Sequence, residues 1–227
     1  MKPLRLGLLA ECPADAAALG ARLAEAAGLA DMLVLPQGLH IPEVALCEAA
    51  QRHGVWLLGG GIARAAGPAA QLFRPDGRSA WQEQHQPLAE RWGADPAVFD
   101  TPWGRLGISL GADLEFPKHA RAQVEAGAWL LLAPAGAEAG HAGERLRLSA
   151  RTRAMENRCF IALAPARGEA LVLGPLEPGF PTDGILARGI GGWVLTTLDA
   201  SSLDHALAGA RQWPRAPVPM PQPAEFT

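Results

Sequence analysis

Long apolar runs are missing from this chain. The most apolar stretch, "AWLLLAPAGA" at 128–137, falls far short of the ~20 residues that span a bilayer, so no membrane-crossing role is expected. Cysteine is scarce as well. Cys12, Cys47 and Cys159 are odd in number and widely spaced, which argues against a disulfide framework or a zinc site and fits a reducing, cytoplasmic setting. No basic block occurs and the net charge is −3, so nucleic acid and anionic membrane surfaces are disfavoured partners. Lys2 and Arg5 precede "LGLLA", but Glu11 follows before a leader-length apolar segment develops, and no secretory leader is expected. Lysine is absent everywhere between Lys2 and Lys118.

What the chain does have suits one soluble domain. Its 227 residues, 49% hydrophobic and 19% charged, can bury a sizeable core. Strand-length apolar runs alternate with helix-like stretches. "LRLGLLA", "DMLVLP", "VWLLGGG", "WLLLAP", "CFIALAP", "EALVLG" and "GWVLTTLD" read as strands. "PADAAALGARLAEAAGLA", "PEVALCEAAQRHG", "PKHARAQVEAGA" and "GERLRLSARTRAMENR" read as helices. "AQLFRPDGRSAW" and "PAVFDTPWGRLGISL" read as hairpins, the first turning at Pro-Asp-Gly. Continuous apolar strands imply burial on both faces, and hairpins among βα units imply a mixed sheet. An α/β layered sandwich is therefore expected over residues 1–211, with 212–227 a proline-rich extended tail. No internal repeat is visible in the sequence.

Several segments, in collinear order over about residues 4 to 205, resemble one family. "ADMLVLPQ" is similar to a strand that ends in Pro-Glu there, and "FRPDGRSAWQEQH" to a "pDG…YrKxH" stretch. "GISLGADLEFP" resembles "GvxICyDxxFP", "ARTRAMENRCFIALA" resembles "aRAxEN" with its strand, and "GEALVLGPLEPG" resembles "GxSxIxxPdG". The family is the nitrilase, or carbon–nitrogen hydrolase, superfamily. The resemblance implies a four-layer αββα sandwich whose helical faces pair in dimers or larger assemblies, with no cofactor. It also implies hydrolysis or transfer at amides and nitriles by a Glu, a Lys and a Cys. The thiolate attacks, the Glu shuttles the proton, and the ammonium stabilises the developing negative charge.

Carried over position by position, the three groups fall on Gln37, Glu83 and Gly111. Gln37 is not a base, Gly111 has no side chain, and Ala112 stands where the family usually has an aromatic residue. The register at Glu83 could slip by one, yet no neighbouring residue is a lysine. A carboxylate ~4 Å from an oxyanion is unfavourable by roughly 1 to 4 kcal/mol. Loss of the catalytic triad is the expectation.

Glu90 matches a second family glutamate and reads equally well as a pocket carboxylate or a solvated loop acid. Asp113 is expected to cap or brace a turn. Arg153 and Glu156 should hold the last helix, and Cys47 and Cys159 should be small core residues. Cys12, after the first strand, is placed near the mouth of the pocket. His85 with Glu83 and Asp113 lacks a recognised metal-ligand spacing, and "LGGGI" lacks what a phosphate loop needs. Three functions remain open. One is a pseudoenzyme acting as a homodimeric or hetero-oligomeric partner or scaffold. Another is a small-molecule (amine or amide) binding or sensor protein using the vestigial pocket. The third is an enzyme with altered chemistry on Glu83, Glu90 or Cys12.

Overall fold

A computed structural model describes residues 2–64, 67–85 and 95–204. It contains two six-stranded sheets. The first is ordered β12-β1-β2-β3-β4-β5, from β1 (Leu4–Leu9), β2 (Met32–Val34), β3 (Trp56–Arg64), β4 (Gly67–Phe73), β5 (Ser79–Glu83) and β12 (Trp193–Leu198). The second is ordered β11-β10-β9-β8-β7-β6, from β6 (Val98–Thr101), β7 (Gly104–Ile108), β8 (Leu130–Ala135), β9 (Phe160–Pro165), β10 (Glu169–Leu173) and β11 (Ile185–Ile190). In each sheet three parallel strands, β1–β3 or β7–β9, are flanked by antiparallel ones. The two sheets thus repeat one arrangement that the sequence does not show as a repeat.

Alternation along the strands builds the layers. Leu4, Leu6 and Leu8 of β1 join Leu106, Ile108, Leu130 and Leu132 in the core between the sheets. The opposite face, with Leu9, Leu33, Leu35 and Leu57, packs under α1 (Ala16–Ala26) and α2 (Glu43–His53). Leu131, Ala133, Ile161 and Leu163 pack under α3 (Pro117–Glu125) and α4 (Gly140–Asn157). Strands buried on both faces between helical layers give the αββα sandwich expected from the sequence.

Local chemistry starts and stops these elements. Asp15 caps α1 by accepting from the Ala18 N–H at 2.8 Å. Pro117 opens α3, where an N–H would have no helical partner. Two elements differ most from the sequence reading. Helix α4 begins at Gly140, three residues before the "GERL" start, and β11 forms from "ILARGI", which carries no clean alternation. β11 is held by its ladder with β10, a long-range pairing that local pattern does not encode. The proline-rich tail lies outside the described residues. Among the described residues no helix is long and apolar enough to cross a membrane.

Candidate functional site

The ends of β2 and β7 bring Gln37 and Gly111 together. Beyond β2 the chain turns through Pro36, and the Gln37 N–H donates to the Ala135 carbonyl at 3.0 Å, tying one sheet to the other. Gly60 and Gly61 of β3 make that turn fit. A Cβ on Gly60 would lie 2.4 Å from the Pro134 Cβ and 2.9 Å from the Pro36 carbonyl oxygen. One on Gly61, at φ +67°, would lie 2.8 Å from the Gln37 Cβ. The β3–β4 register shifts between Gly59 and Ile62, as a bulge requires. The "LGGGI" glycines therefore seat Gln37 rather than a phosphate.

Beyond β7 a 3-10 turn, Gly111–Glu115, opens at Gly111 with φ +41°, in the left-handed region that favours glycine. A Cβ there would stand 2.9 Å from Gln37 Oε1 and 3.8 Å from its Nε2. The Gln37 side chain, half-buried, makes no hydrogen bond with any described residue. Its amide faces the position from which a side chain at 111 would grow.

Asp113, wholly buried, braces the turn. Its Oδ2 accepts from the Leu110 N–H at 3.2 Å and from the His85 N–H at 3.3 Å, joining the turn to the residue beyond β5. This is the turn-bracing role expected of Asp113. His119, on α3, lies 4.0 Å from the same oxygen, with its ring 5.6 Å from that of His85. Neither His119 ring nitrogen makes a hydrogen bond of good geometry. Burial pushes its pKa down to about 4, with the Ile108 carbonyl opposing and His85 adding to the shift. At that distance the Asp113 carboxylate does not offset the loss of water, so the imidazole is neutral near pH ~7.

Below the turn, Gln123 donates to the Ile108 and Ala97 carbonyls at 2.8 and 3.1 Å and accepts from the Ser109 hydroxyl at 2.9 Å. Gly107 leaves room for it, since a Cβ there would lie 2.9 Å from the Gln123 Cδ. Sequence reasoning passed over His119 and Gln123. The available signal was their spacing of four, which sets two polar residues on the face of α3 that buries Ala120.

The other candidates divide. The Cys12 sulfur lies 3.5 Å from the Gly38 carbonyl, beside the Gln37 turn, and partial burial raises its thiol pKa, which disfavours a thiolate. Burial pushes the Cys159 thiol up to about 12, which makes it an inert core group, while Cys47 packs partly buried against the α1–α2 layer. Glu83 stands opposite Ala69 on β5, and its carboxylate makes no ion pair or hydrogen bond with a described residue, Gln37 included. Ala112 is half-buried in the turn. Glu90 lies outside the described residues. Among the described residues no three His, Cys, Asp or Glu side chains are arranged to hold a metal ion. Arg153 and Glu156 form an ion pair at 3.0 Å on α4. A cavity of about 650 Å³ opens beside His85, Pro96, Phe116 and His119; neither Gln37 nor Gly111 lines it.

Residues 42–189 match the family model described as carbon-nitrogen hydrolase. The chain belongs to the carbon-nitrogen hydrolase family. It is 28% identical over 125 residues to the probable hydrolase YhcX of Bacillus subtilis, covering 52% of this chain and 24% of that protein. It is 29% identical over 93 residues to a deaminated glutathione amidase of Synechocystis, covering 41% of this chain and 33% of that one. The matches thus span a quarter to a third of the length of these curated relatives. Among solved structures, Saccharomyces cerevisiae Nit3, a member of branch 10 of the nitrilase superfamily, superposes with TM-score 0.79 at 17% identity, over 94% of this chain and 97% of that one. A double mutant of the amidase from Nesterenkonia sp. AN1, Glu→Gln and Cys→Ala, in complex with acrylamide, superposes with TM-score 0.71 at 22% identity, over 91% and 95%. These likenesses give the family's sandwich fold to this chain.

Proposed function

We propose that this chain is a non-hydrolysing member of the carbon-nitrogen hydrolase family that acts as a partner or scaffold subunit. One observation carries the reading. At the turn after β7 a glycine in left-handed backbone faces an amide, where the family's chemistry needs a thiol facing a carboxylate. A neutral amide takes no proton from a nucleophile, and Gly111 presents none. Leu148 and Met155, seven apart on α4 and 54% and 46% exposed, offer an apolar stripe for a second subunit. The test joins an assay with a measurement of mass. The full chain should show no turnover of primary amides or nitriles, and light scattering should give an assembly larger than the monomer. Turnover that disappears in Cys12→Ser or Glu83→Gln would overturn the first part, and a monomer alone would overturn the second.

A second reading, amide binding at the same turn, rests on a separate observation. The Nesterenkonia amidase mutant, with Gln and Ala replacing Glu and Cys, holds acrylamide. Here the Gln37 side-chain amide, which bonds no described residue, lies beside Gly111, and it can donate to and accept from a primary amide at once. Saturable acrylamide binding by calorimetry, weakened in Gln37→Leu, is the expected result. No heat with acrylamide, or binding unchanged in Gln37→Leu, removes this reading.

A further inference from the structure

The cavity of about 650 Å³ beside the start of α3 has the size that takes a small organic ligand. Its walls come from two parts of the chain, the helix start at Phe116 and Pro117 and the stretch at Asp95 and Pro96, with His85 beside them. Both parts are anchored. The Ala97 N–H donates to Gln82 Oε1 at 2.9 Å, and the Ala97 carbonyl accepts from Gln123 Nε2 at 3.1 Å. On the other side the His119 N–H donates to the Phe116 carbonyl at 3.2 Å, and the His85 N–H donates to Asp113 Oδ2. Walls held in this way are formed before a guest arrives, which lowers the cost of binding.

Rings make up much of the surface. Phe116 is 42% exposed, and the rings of Pro96 and Pro117 extend the apolar wall. Two charges of opposite sign share the cavity with them, Asp95 and Lys118, both exposed. Neither side chain makes an ion pair or hydrogen bond with a described residue, and they do not pair with each other. A single free charge on a surface is ordinary and marks nothing. Here an ammonium and a carboxylate stand at one ring-walled cavity. An aromatic acid would satisfy Lys118 but meet Asp95 as a like charge, and an aromatic amine would do the reverse. A guest that carries both charges and a ring uses all of these groups.

We propose that this cavity is a binding site for a small aromatic zwitterion, an α-amino acid bearing a ring. Its carboxylate accepts from the Lys118 ammonium, its ammonium donates to the Asp95 carboxylate, and its ring packs against Phe116 and the prolines. The proposal rests on neither reading of the turn after β7, because neither Gln37 nor Gly111 lines the cavity.

Calorimetric titration of the full chain with four probes tests this. Phenylalanine carries the ring and both charges, hydrocinnamate the ring and the carboxylate, phenethylamine the ring and the ammonium, and glycine the charges without a ring. Phenylalanine should bind saturably at one per chain, and the other three should each be weaker by about tenfold. Lys118→Ala should weaken phenylalanine about fivefold and leave phenethylamine no weaker. Asp95→Asn should weaken phenylalanine about fivefold and leave hydrocinnamate no weaker. Both side chains are exposed, so these variants keep the fold, and Arg147→Ala, on α4, should bind as the parent does. The proposal is overturned by absence of saturable phenylalanine binding in the millimolar range, by any of the three partial probes binding as tightly, or by phenylalanine binding unchanged in either Lys118→Ala or Asp95→Asn.

Discussion

The two ends of this sandwich are built from opposite materials. Where β2 and β7 finish, glycines dominate. Gly60, Gly61 and Gly111 let the chain close so tightly that an added Cβ would crowd Pro134 and the Pro36 carbonyl, the Gln37 turn, and the Gln37 side-chain oxygen in turn. Polar groups there are small and buried, with Asp113, His119 and Gln123 all wholly or nearly inaccessible. Where β1 and β3 begin, bulk and charge replace them, in the form of two tryptophans, a stacked arginine and a paired Arg5–Asp31 at the rim. The comparison teaches where precision resides. At the glycine end an added Cβ on Gly60 meets a proline ring and a carbonyl that cannot move aside, while a cleft opens at the indole end.

Substitutions can break that contrast in graded steps. Gly60→Ala is the most damaging, because its Cβ meets a proline ring and a carbonyl that cannot give way. Overpacking of this kind should cost about 3 kcal/mol, read as a fall in the denaturant midpoint. The next effect is one of pH. His119 has a folded pKa of about 4, below its ordinary value of 6.5, so the native state binds its proton later than the unfolded chain does. The stability it contributes is present above ~6.5 and is lost as pH falls toward 4. Near pH ~5 the loss should be about 2 kcal/mol, and it should be missing from the pH profile of His119→Gln. An identical slope in both proteins would place the acid sensitivity elsewhere.

Gly111→Ala follows. It forces a side chain into left-handed backbone, at about 1–2 kcal/mol, while the far end of Gln37 can rotate away from the new methyl. A loss above that of Gly60→Ala would mean that Gln37 is fixed rather than adaptable. Asp31→Asn, at the other end, should have the smallest effect. It weakens a surface ion pair in which the Arg5 side chain is half-exposed, so the change in Tm should shrink further with added salt.

Much of the fold was legible from pattern, because burial on both faces leaves continuous apolar strands and amphipathic spacing marks each helix. The pairing of Gln37 with Gly111 was legible only through family resemblance, since 74 positions separate them in sequence and no local rule joins them. Glu83 shows the limit. Its alignment placed it at the lysine position; in the structure it stands across from Ala69 of β4, and its carboxylate makes no hydrogen bond or ion pair with a described residue. Cys12 lies against the Gly38 carbonyl, a neighbour 26 positions away that no local pattern records.

Residue types and their order by themselves determined the α/β layered class, the helix start at Pro117, and the lack of any lysine between Lys2 and Lys118. The tertiary structure alone decided the rest. It seated Gln37 on Gly60 and Gly61, buried His119 as a neutral ring, recruited β11 to its sheet and joined Trp56 to Trp103 across the sandwich. Each of these depends on groups far apart along the chain, whose meeting is set by how whole sheets pack and not by any local preference.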